Sequence, residues 1–350
     1  MTEKLNPMSL RRLTGAVNLT CFYHQGCPDG LGGAFAIYAH LPAAARRGID
    51  DAGGVALKTS GSAALQALRR GGPVFQGIAP GYATPPAAPL VAGRDVVFVD
   101  VTPRADILAQ VAAAARTVTV LDHHRSAEMT LASLASLTPQ SHCAVVYDED
   151  RSGAQIAWDW AAGTASARPA IIDYIGDRDL YRFALPDSRA ISKAIHTEGV
   201  VASFDTLNAA VAAFDAAGLA ERGEAYLRYE QGILAQMAAT AVRMTLSAMP
   251  LGGGAPRAYR VLAVNAPTLQ SELGESLMLT ASDDIDFAVV WRYAHSPDEI
   301  WVSARTNRDD IDLSAITQSI VGALRGGGHP RAAGFTVAGG DVRTFMRAVC

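Results

Sequence analysis

The chain has 350 residues, of which 49% are hydrophobic and 18% are charged, and its formal net charge is −4 at pH 7. This composition excludes a disordered chain and supports packed cores in two domains of ordinary size. The small negative charge excludes a protein that attracts long nucleic acid through a global basic field.

The four cysteines, Cys21, Cys27, Cys143 and Cys350, do not have the spacing of a disulfide framework. We therefore expect reduced thiols in a cytoplasmic protein. The first residues lack the apolar core of a signal peptide, and no uninterrupted apolar stretch is long enough to span a membrane. No membrane partner is expected.

The first predicted element is an apolar strand over residues 16–23, which ends at His24. The sequence Cys27-Pro28-Asp29-Gly30 follows and leads into residues 31–38, whose small side chains predict a helix. Residues 75–94 are rich in Gly, Pro and Ala and predict a loop over the rim of a sheet.

Two further strands end in the same kinds of side chain. Residues 95–99 form an apolar strand that ends at Asp100, and residues 118–121 run into the Asp-His-His triplet at 122–124. Taken alone, the triplet fits an Asp-capped turn with two solvated histidines as well as it fits a metal site. Because functional groups collect beyond the carboxyl ends of strands in open α/β sheets, three such strands favour a shared site.

Another acidic segment covers residues 171–181, where Asp177 lies in a stretch that is compatible with a helix. The simpler interpretation of this stretch is a solvated helix face with an ion pair to Arg178. Residues 152–161 also predict a helix, which begins near the expected site.

The order of elements predicts an α/β protein. Strands and helices alternate over residues 16–184, which predicts a parallel-sheet N-terminal domain at 1–185. Residues 186–250 predict a helical connector, which is also the surface expected in a homodimer. A smaller mixed-sheet α/β domain is predicted at 251–350, and its first residues, 251–256, form a Gly-rich linker. Its strands are expected at 258–264, 285–293, 300–304 and 334–338, and its helices at 270–280 and 312–324.

The second domain contains Gly326-Gly327-Gly328, which predicts either a flexible turn or backbone that approaches an anion closely without a Cβ clash. His329 and Arg331 follow directly and favour the anion, because Arg can bind a phosphate in a bidentate fork. Arg305, at the end of a predicted strand, is a second candidate phosphate contact.

Mixed imidazole and carboxylate side chains without a cysteine pair suit Mn²⁺, Co²⁺, Mg²⁺ or Zn²⁺ with open positions, rather than a closed structural zinc site. A carboxylate such as Asp100 can bridge two ions. The predicted ligands are His24, Asp29, Asp100, His123 and Asp177.

Neighbouring side chains on a strand point to opposite faces, so His123 and His124 are expected to have different roles. We assign His123 to the metal and His124 to the substrate phosphate or the leaving oxygen. Asp122 is expected behind them, where it orients an imidazole.

These motifs, in this order, resemble the DHH phosphoesterase superfamily with the DHH-associated C-terminal domain. The resemblance spans residues 24–335 and implies a Mn²⁺-dependent phosphoesterase with two lobes and a substrate cleft between them, similar to oligoribonucleases and exopolyphosphatases of the family. The matching motifs are His24 with Asp29-Gly30, Asp100, Asp122-His123-His124, Asp177 in 177–181, and the glycine-rich stretch 326–335.

One departure from the family concerns the first motif, which in many members carries a second acid where this chain has Leu31. The spacing from His24 to Asp29 is also one residue longer than in those members. Leucine cannot ligate a metal, so we expect a second ion to rest on the remaining ligands and to bind more weakly. Cys27 is predicted to be a small buried thiol, with a thiolate ligand as the alternative.

Three functions remain open at this stage. The leading hypothesis is a phosphodiesterase that uses metal-activated water to hydrolyse short oligonucleotides or related nucleotide phosphoesters to nucleoside monophosphates; the scarcity of Lys near the motifs favours it. A polyphosphate or pyrophosphate hydrolase is the alternative on the same scaffold. A catalytically reduced nucleotide-binding protein is the third, because the second acid is missing.

Overall fold

The computed structural model describes residues 18–50, 72–79, 84–125, 127, 130, 142–163, 167–249, 255–294, 298–320, 323–338 and 346–348. The chain divides into two compact units, Met1–Leu227 and Arg228–Cys350. The three-part division expected from the sequence, with a separate connector at 186–250, stays a prediction.

The first unit contains a five-stranded sheet in the order β2-β1-β3-β4-β5, and every pair of neighbouring strands is parallel. The central strands read as nearly continuous apolar runs because helices cover both faces of such a sheet. The predicted parallel sheet is therefore confirmed. Its strands are β1 (Leu19–His24), β2 (Val74–Ile78), β3 (Asp95–Val99), β4 (Thr117–Asp122) and β5 (Cys143–Tyr147).

The edge strand β2 lies partly inside the segment that the sequence predicts to be a loop. Val74, Phe75 and Ile78 are buried, and β2 pairs with β1 in parallel. The expectation of a loop over the whole of 75–94 was wrong because Gly, Pro and Ala are concentrated after residue 78 and hide a short apolar run before it.

Eight α-helices are described for this unit, and the last of them continues into the second unit. The sheet has an apolar core on each face. Helix α1 lies very close to the sheet, since a Cβ on Gly33 would come within 2.3 Å of Val99 Cγ1. None of the helices among the described residues is both long and apolar enough to cross a membrane. The helices are α1 (Pro28–Ala39), α2 (Ala43–Asp50), α3 (Ala105–Ala114), α4 (Gly153–Ala162), α5 (Ala170–Asp179), α6 (Ser188–Thr197), α7 (Phe204–Ala212) and α8 (Ala216–Ala238).

The second unit contains a seven-stranded mixed sheet in the order β10-β11-β9-β8-β7-β6-β12. Strands β7 and β8 are parallel, whereas the other pairs are antiparallel. The predicted fold class, a parallel-sheet α/β domain with a mixed-sheet α/β domain, is confirmed. The elements are β6 (Val242–Ala248), β7 (Arg257–Asn265), α9 (Gln270–Thr280), β8 (Phe287–Tyr293), β9 (Glu299–Arg305), α10 (Leu313–Gln318), β10 (Ala323–His329), β11 (Ala332–Ala338) and β12 (Met346–Ala348).

Two local expectations for this part of the chain were wrong. Residues 242–248 form a strand rather than the end of a helical stretch, and α10 ends at Gln318. The glycine run, for which the sequence left a flexible turn as one alternative, lies within strand β10, and Gly327 pairs with Gly334 of β11. Glycine is required at 326 because α10 packs directly on the strand there, so that a Cβ would come within 2.0 Å of the Thr317 carbonyl oxygen.

Candidate metal centre

The carboxyl edge of the parallel sheet brings the predicted residues together. His24 ends β1, Asp100 directly follows β3, and Asp122 ends β4. In the order β2-β1-β3-β4-β5 the chain direction across the sheet reverses between β1 and β3, which is where open α/β sheets form ligand sites. His24 and Asp100 lie on the two sides of this switch point.

Asp100 lies at the centre of the cluster and is 1% exposed. Its Oδ2 is 3.1 Å from His24 Nδ1, and its Oδ1 is 3.1 Å from His123 Nε2. Burial alone would raise the pKa of Asp100, but the hydrogen bonds with His123 and His24 hold that pKa well below its usual range. Asp100 also has a φ of 58°, a left-handed conformation that is uncommon for non-glycine residues.

His123 is surrounded by three carboxylates. Besides Asp100, its Nε2 lies 3.3 Å from Asp179 Oδ2 and 3.7 Å from Asp29 Oδ2. Burial would lower the pKa of His123, but the hydrogen bond to Asp100 and the charges of the other two carboxylates raise it to about 9. In the absence of a cation, this imidazole therefore carries the balancing positive charge.

Asp29 connects the cluster to the start of helix α4. Its carboxylate accepts hydrogen bonds from the backbone N–H groups of Gly153, at 2.6 Å, and Ala154, at 3.0 Å. The first N–H groups of a helix favour a negative charge. Complete burial, together with the charges of Asp179 and Asp100, nevertheless raises the pKa of Asp29 well above its usual value.

Asp122 holds the other two residues of the triplet in place. Its Oδ1 accepts from the backbone N–H groups of His123, at 2.8 Å, and His124, at 3.0 Å, and is also 2.8 Å from His124 Nδ1. Thr102 Oγ1 donates to the second oxygen. Burial would raise the pKa of Asp122, but the hydrogen bonds lower it. The structure thus places Asp122 behind the imidazole of His124, whose side chain is 29% exposed.

The structure does not bring Asp177 to the cluster. The Asp177 carboxylate accepts from the backbone N–H groups of Ala184 and Leu185 and from the Ser188 hydroxyl, and so it holds the turn after helix α5. Asp179, two residues later, lies beside His123 instead. Successive residues on an α-helix are about 100° apart, so two residues that differ by two positions face nearly opposite directions and only one can reach the site.

Cys27 is half-buried beside the cluster, where the sequence favours a small buried thiol over a thiolate ligand. Its Sγ, a nitrogen of His24 and an oxygen of Asp100 all lie within 4.8 Å of one another, and Sγ is 4.0 Å from Asp179 Oδ1. The thiol thus lies beside ionisable groups. Leu31 is 5% exposed within the apolar core, which explains why it contributes nothing to the cluster.

Three sets of side chains in the described part of the chain can hold a cation, each with its ligand atoms within 4.8 Å of one another. Asp100 belongs to two of them, and His123 to two. The pKa of Asp29 is raised, and desolvation together with the charge of Asp100 raises the pKa of Asp179 to about 6. These shifts indicate that the carboxylates repel one another, and a divalent cation would offset this repulsion. The donor atoms therefore suit divalent cations. The sets are His24 with Cys27 and Asp100, Asp100 with His123 and His124, and Asp29 with His123 and Asp179.

The residues predicted to bind a phosphate in the second unit lie on β9, β10 and the turn that follows β10. Arg305, Ala332 and His329 are cross-strand partners, and Gly327, two positions before His329, lies on the same face of the sheet. The Arg305 guanidinium donates to Ser303 Oγ, at 3.0 Å, and to Ser271 Oγ, at 2.6 Å. Gly328 has a φ of 141°, and Arg331 pairs with Asp309.

Comparisons with known proteins bear on the fold. No protein-family model matches the chain. The uncharacterized protein R106 of Acanthamoeba polyphaga mimivirus is 21% identical over 323 residues, which are 91% of this chain and 67% of that protein. RecJ from Thermus thermophilus, solved in complex with Mn²⁺, is 15% identical with a TM-score of 0.45, covering 96% of this chain and 51% of RecJ. The DHH domain of a member of the s1p family of ribosomal proteins is 14% identical with a TM-score of 0.52, covering 96% of this chain and 86% of that one. The chain therefore has the fold of a DHH-domain protein.

Proposed function

We propose that this chain is a metal-dependent phosphodiesterase that hydrolyses short oligonucleotides or related nucleotide phosphoesters to nucleoside monophosphates. The observation that carries the proposal is the position of Asp100, which shares its two carboxylate oxygens between His24 and His123 at the switch point of the sheet. The DHH-domain fold supports the same chemistry. Mn²⁺ is the proposed ion, with Mg²⁺ or Co²⁺ as substitutes.

The ligands divide into two groups that share Asp100. His24 and Asp100 would hold one cation, and Asp29, His123 and Asp179 would hold the other, with Asp100 between them. When bound, divalent cations supply activated water and neutralise the charge on phosphoryl oxygens.

His124 is the residue that we propose acts on the substrate itself. Asp122 engages its Nδ1 and both backbone N–H groups of the turn, which fixes the orientation of the ring. His124 Nε2 is therefore the nitrogen that can donate to a phosphoryl oxygen or protonate the leaving oxygen. The burial of this imidazole would lower its pKa, but its contacts with Asp122 and Asp100 raise it, which favours the donating form.

An aromatic surface next to Asp179 supports a nucleotide over an inorganic phosphate chain. The Tyr181 ring is 53% exposed and lies edge-on to Phe183 at 4.9 Å, and the Arg189 guanidinium is 4.0 Å from the Phe183 ring. Consecutive Cα atoms are 3.8 Å apart, so the Cα of Tyr181 lies within about 8 Å of the Cα of Asp179. Exposed aromatic rings stack nucleobases, whereas polyphosphate offers no base to stack.

The second unit would contribute contacts to the substrate phosphates. Arg305, Gly327 and His329 share one face of the sheet, and a Cβ on Gly327 would meet nothing within 4 Å. An anion can therefore approach the backbone closely at Gly327 and Gly328. Arg331 lies on the adjoining turn with Asp309 as its partner, and we propose that it turns to the phosphate when substrate binds.

The proposal is tested with Mn²⁺ and a panel of dinucleotides, longer oligomers, cyclic dinucleotides and polyphosphate, with products separated by chromatography. We expect nucleoside monophosphates from the short oligomers, loss of turnover in Asp100→Ala, and full turnover in Asp106→Ala. Asp106 is a matched control because it follows the same strand but is exposed and pairs with Arg104 on the surface.

Each alternative predicts a different result from this panel. Consumption of polyphosphate alone would replace the proposed substrate class with an inorganic one. Nucleotide binding without turnover at any Mn²⁺ concentration would indicate a binding protein. Full activity in Asp100→Ala would contradict the assignment of the metal centre itself.

A further inference from the structure

The loop that precedes helix α1 presents a sulfur atom to the candidate metal centre. Cys27 Sγ groups with His24 and Asp100, their ligand atoms all lying within 4.8 Å of one another, and is 4.0 Å from Asp179 Oδ1. The helix start that follows Cys27 is closely confined, because a Cβ on Gly30, in the first turn of α1, would come within 2.4 Å of the His24 carbonyl oxygen. The position of the sulfur thus follows from the packing of the helix start on β1.

The thiol lies where the cluster lacks an oxygen ligand. Leu31 is buried in the core and supplies no donor atom, and Asp29 belongs to the other set, with His123 and Asp179. Without Cys27, the set of side chains beside His24 would offer a cation only two ligand atoms, one imidazole nitrogen of His24 and one oxygen of the shared Asp100. Three protein ligands with an open position are typical of catalytic rather than structural zinc sites.

We propose that Cys27 ligates a cation as a thiolate, together with His24 and Asp100, so that the two cation positions differ in metal preference. This inference rests on the proposed function, because it concerns one of the two positions proposed there. When the ion binds, the S–H bond is broken, a sulfur–cation bond forms, and the proton passes to the solvent. The nitrogen, oxygen and sulfur donors at this position favour Zn²⁺ or Co²⁺.

The second position has no sulfur ligand and should behave differently. Asp29, Asp179 and the shared Asp100 offer oxygen atoms, and His123 offers one nitrogen. Oxygen-rich sites suit Mn²⁺ and Mg²⁺, which have little affinity for sulfur. The chain is therefore expected to hold two different metals when Zn²⁺ and Mn²⁺ are supplied together.

Anaerobic titration of the full chain with Co²⁺ tests the inference directly, because a thiolate ligand gives a near-ultraviolet charge-transfer band. We expect this band in the unaltered protein, its loss in Cys27→Ser and Cys27→Asp, and its retention in Cys143→Ser. Cys143 is a matched control because it is half-buried at the start of β5, the opposite end of the sheet. Circular dichroism would establish that each variant is folded.

Metal competition provides the second measurement. Loss of a residue that hydrogen-bonds to a metal ligand usually lowers metal affinity by about tenfold to a hundredfold. Loss of a ligand itself should have at least this effect, so Cys27→Asp should lower the ratio of Zn²⁺ affinity to Mn²⁺ affinity by at least about tenfold. A folded Cys27→Ser protein that keeps the band, or an unaltered protein that lacks it, would overturn the inference. If the unaltered protein lacks the band but still hydrolyses dinucleotides with Mn²⁺, the thiolate ligand is ruled out and the proposed function is retained.

Discussion

Asp100 and His123 form the central contact of the candidate metal centre, with Oδ1 of the carboxylate 3.1 Å from Nε2 of the imidazole. The other carboxylate oxygen of Asp100 faces His24 at the same distance. One buried side chain thus joins His24, at the end of β1, to His123, which follows β4, because β3 lies between these strands.

The first prediction concerns the bridging role of Asp100. Asp100→Asn replaces one shared oxygen with an amide nitrogen, which cannot ligate a cation, so we expect the number of bound Mn²⁺ ions to fall from two to at most one. Removal of charge stabilisation worth several kcal/mol should lower kcat/KM by about a thousandfold or more. Elemental analysis after dialysis and steady-state kinetics measure the two effects.

The matched variant for this experiment is Asp106→Asn, on the exposed start of α3. It should retain both ions and ordinary turnover. Two ions bound to Asp100→Asn with the affinity of the unaltered protein would show that Asp100 is not shared between cation positions.

The second prediction separates the two aspartates at the end of α5. Asp177→Asn points an amide at the N–H groups of Ala184 and Leu185, so we expect a loss of about 1–3 kcal/mol in the free energy of unfolding. Asp179→Asn should instead weaken Mn²⁺ binding and leave the turn intact. Denaturant unfolding and calorimetric titration of both variants test the assignment.

The sign of the stability change gives an additional check on Asp179. Desolvation and the charge of Asp100 raise the pKa of Asp179 to about 6. At pH 7.5 the metal-free protein therefore carries an Asp179 carboxylate that is less favourable in the folded chain than in the unfolded chain. The metal-free Asp179→Asn protein should therefore be more stable than the unaltered one at pH 7.5. A loss of stability there would place Asp179 in a structural role.

The sequence was sufficient to predict the architecture and most of the residues that lie together in the candidate centre, for a physical reason. The side chains at the ends of β1, β3 and β4 lie close together because these strands are parallel neighbours, so that their carboxyl ends lie along one edge of the sheet. These side chains are His24, Asp100 and Asp122. The apolar runs also define the sheet, since both of its faces are buried.

What the sequence could not provide was the direction of individual side chains away from the strands. Whether Asp177 or Asp179 faces the site depends on the rotation of α5 about its axis, which tertiary packing decides. Cys27 likewise precedes a helix start whose position is set by the contact of Gly30 with His24. The run at 326–328 was ambiguous because glycine is common in turns, and only the packing of α10 on Gly326 requires it in a strand.

The third prediction concerns pH. The pKa of His123 is raised from 6.5 to about 9, so its proton stabilises the metal-free fold below pH 6.5, and this contribution is lost as the pH rises through 9. A cation needs the neutral imidazole, so its binding at pH 7.5 should release a proton. Mn²⁺ affinity should rise by about tenfold per pH unit between pH 7 and 9.

Calorimetric titration in two buffers of different ionisation enthalpy measures the released proton. His123→Gln should bind Mn²⁺ more weakly and should lose most of the pH dependence in this range. An affinity for the unaltered protein that is constant from pH 7 to 9 would contradict the role of His123 as a ligand.

The fourth prediction uses two adjacent glycines of β10. Gly326→Ala places a Cβ against the Thr317 carbonyl oxygen, whereas Gly327→Ala places it in open space. We expect Gly326→Ala to cost about 1–3 kcal/mol in the free energy of unfolding and Gly327→Ala to change it by less than about 0.5 kcal/mol. Denaturant titration distinguishes them.

Under the proposed function, Gly327→Ala should still raise KM for dinucleotides, because its Cβ occupies the surface that a phosphate would approach. An unchanged KM in this stable variant would remove Gly327 from the substrate contacts. A stable Gly326→Ala protein would contradict the close packing of α10 on the strand.

The fifth prediction concerns the exposed ring of Tyr181. Stacking of a base on an aromatic side chain contributes about 1–3 kcal/mol, so Tyr181→Ala should raise KM for dinucleotides by about fivefold to a hundredfold. Turnover of a phosphodiester without a nucleobase should change little, since it makes no stacking contact. Steady-state kinetics with both substrates give the comparison, and Tyr229→Ala, on an even more exposed tyrosine of α8, serves as the control. An equal loss of turnover on both substrates would mean that Tyr181 stabilises the turn held by Asp177 and does not stack on a base. The proposal of a nucleotide substrate would then rest on the product panel alone.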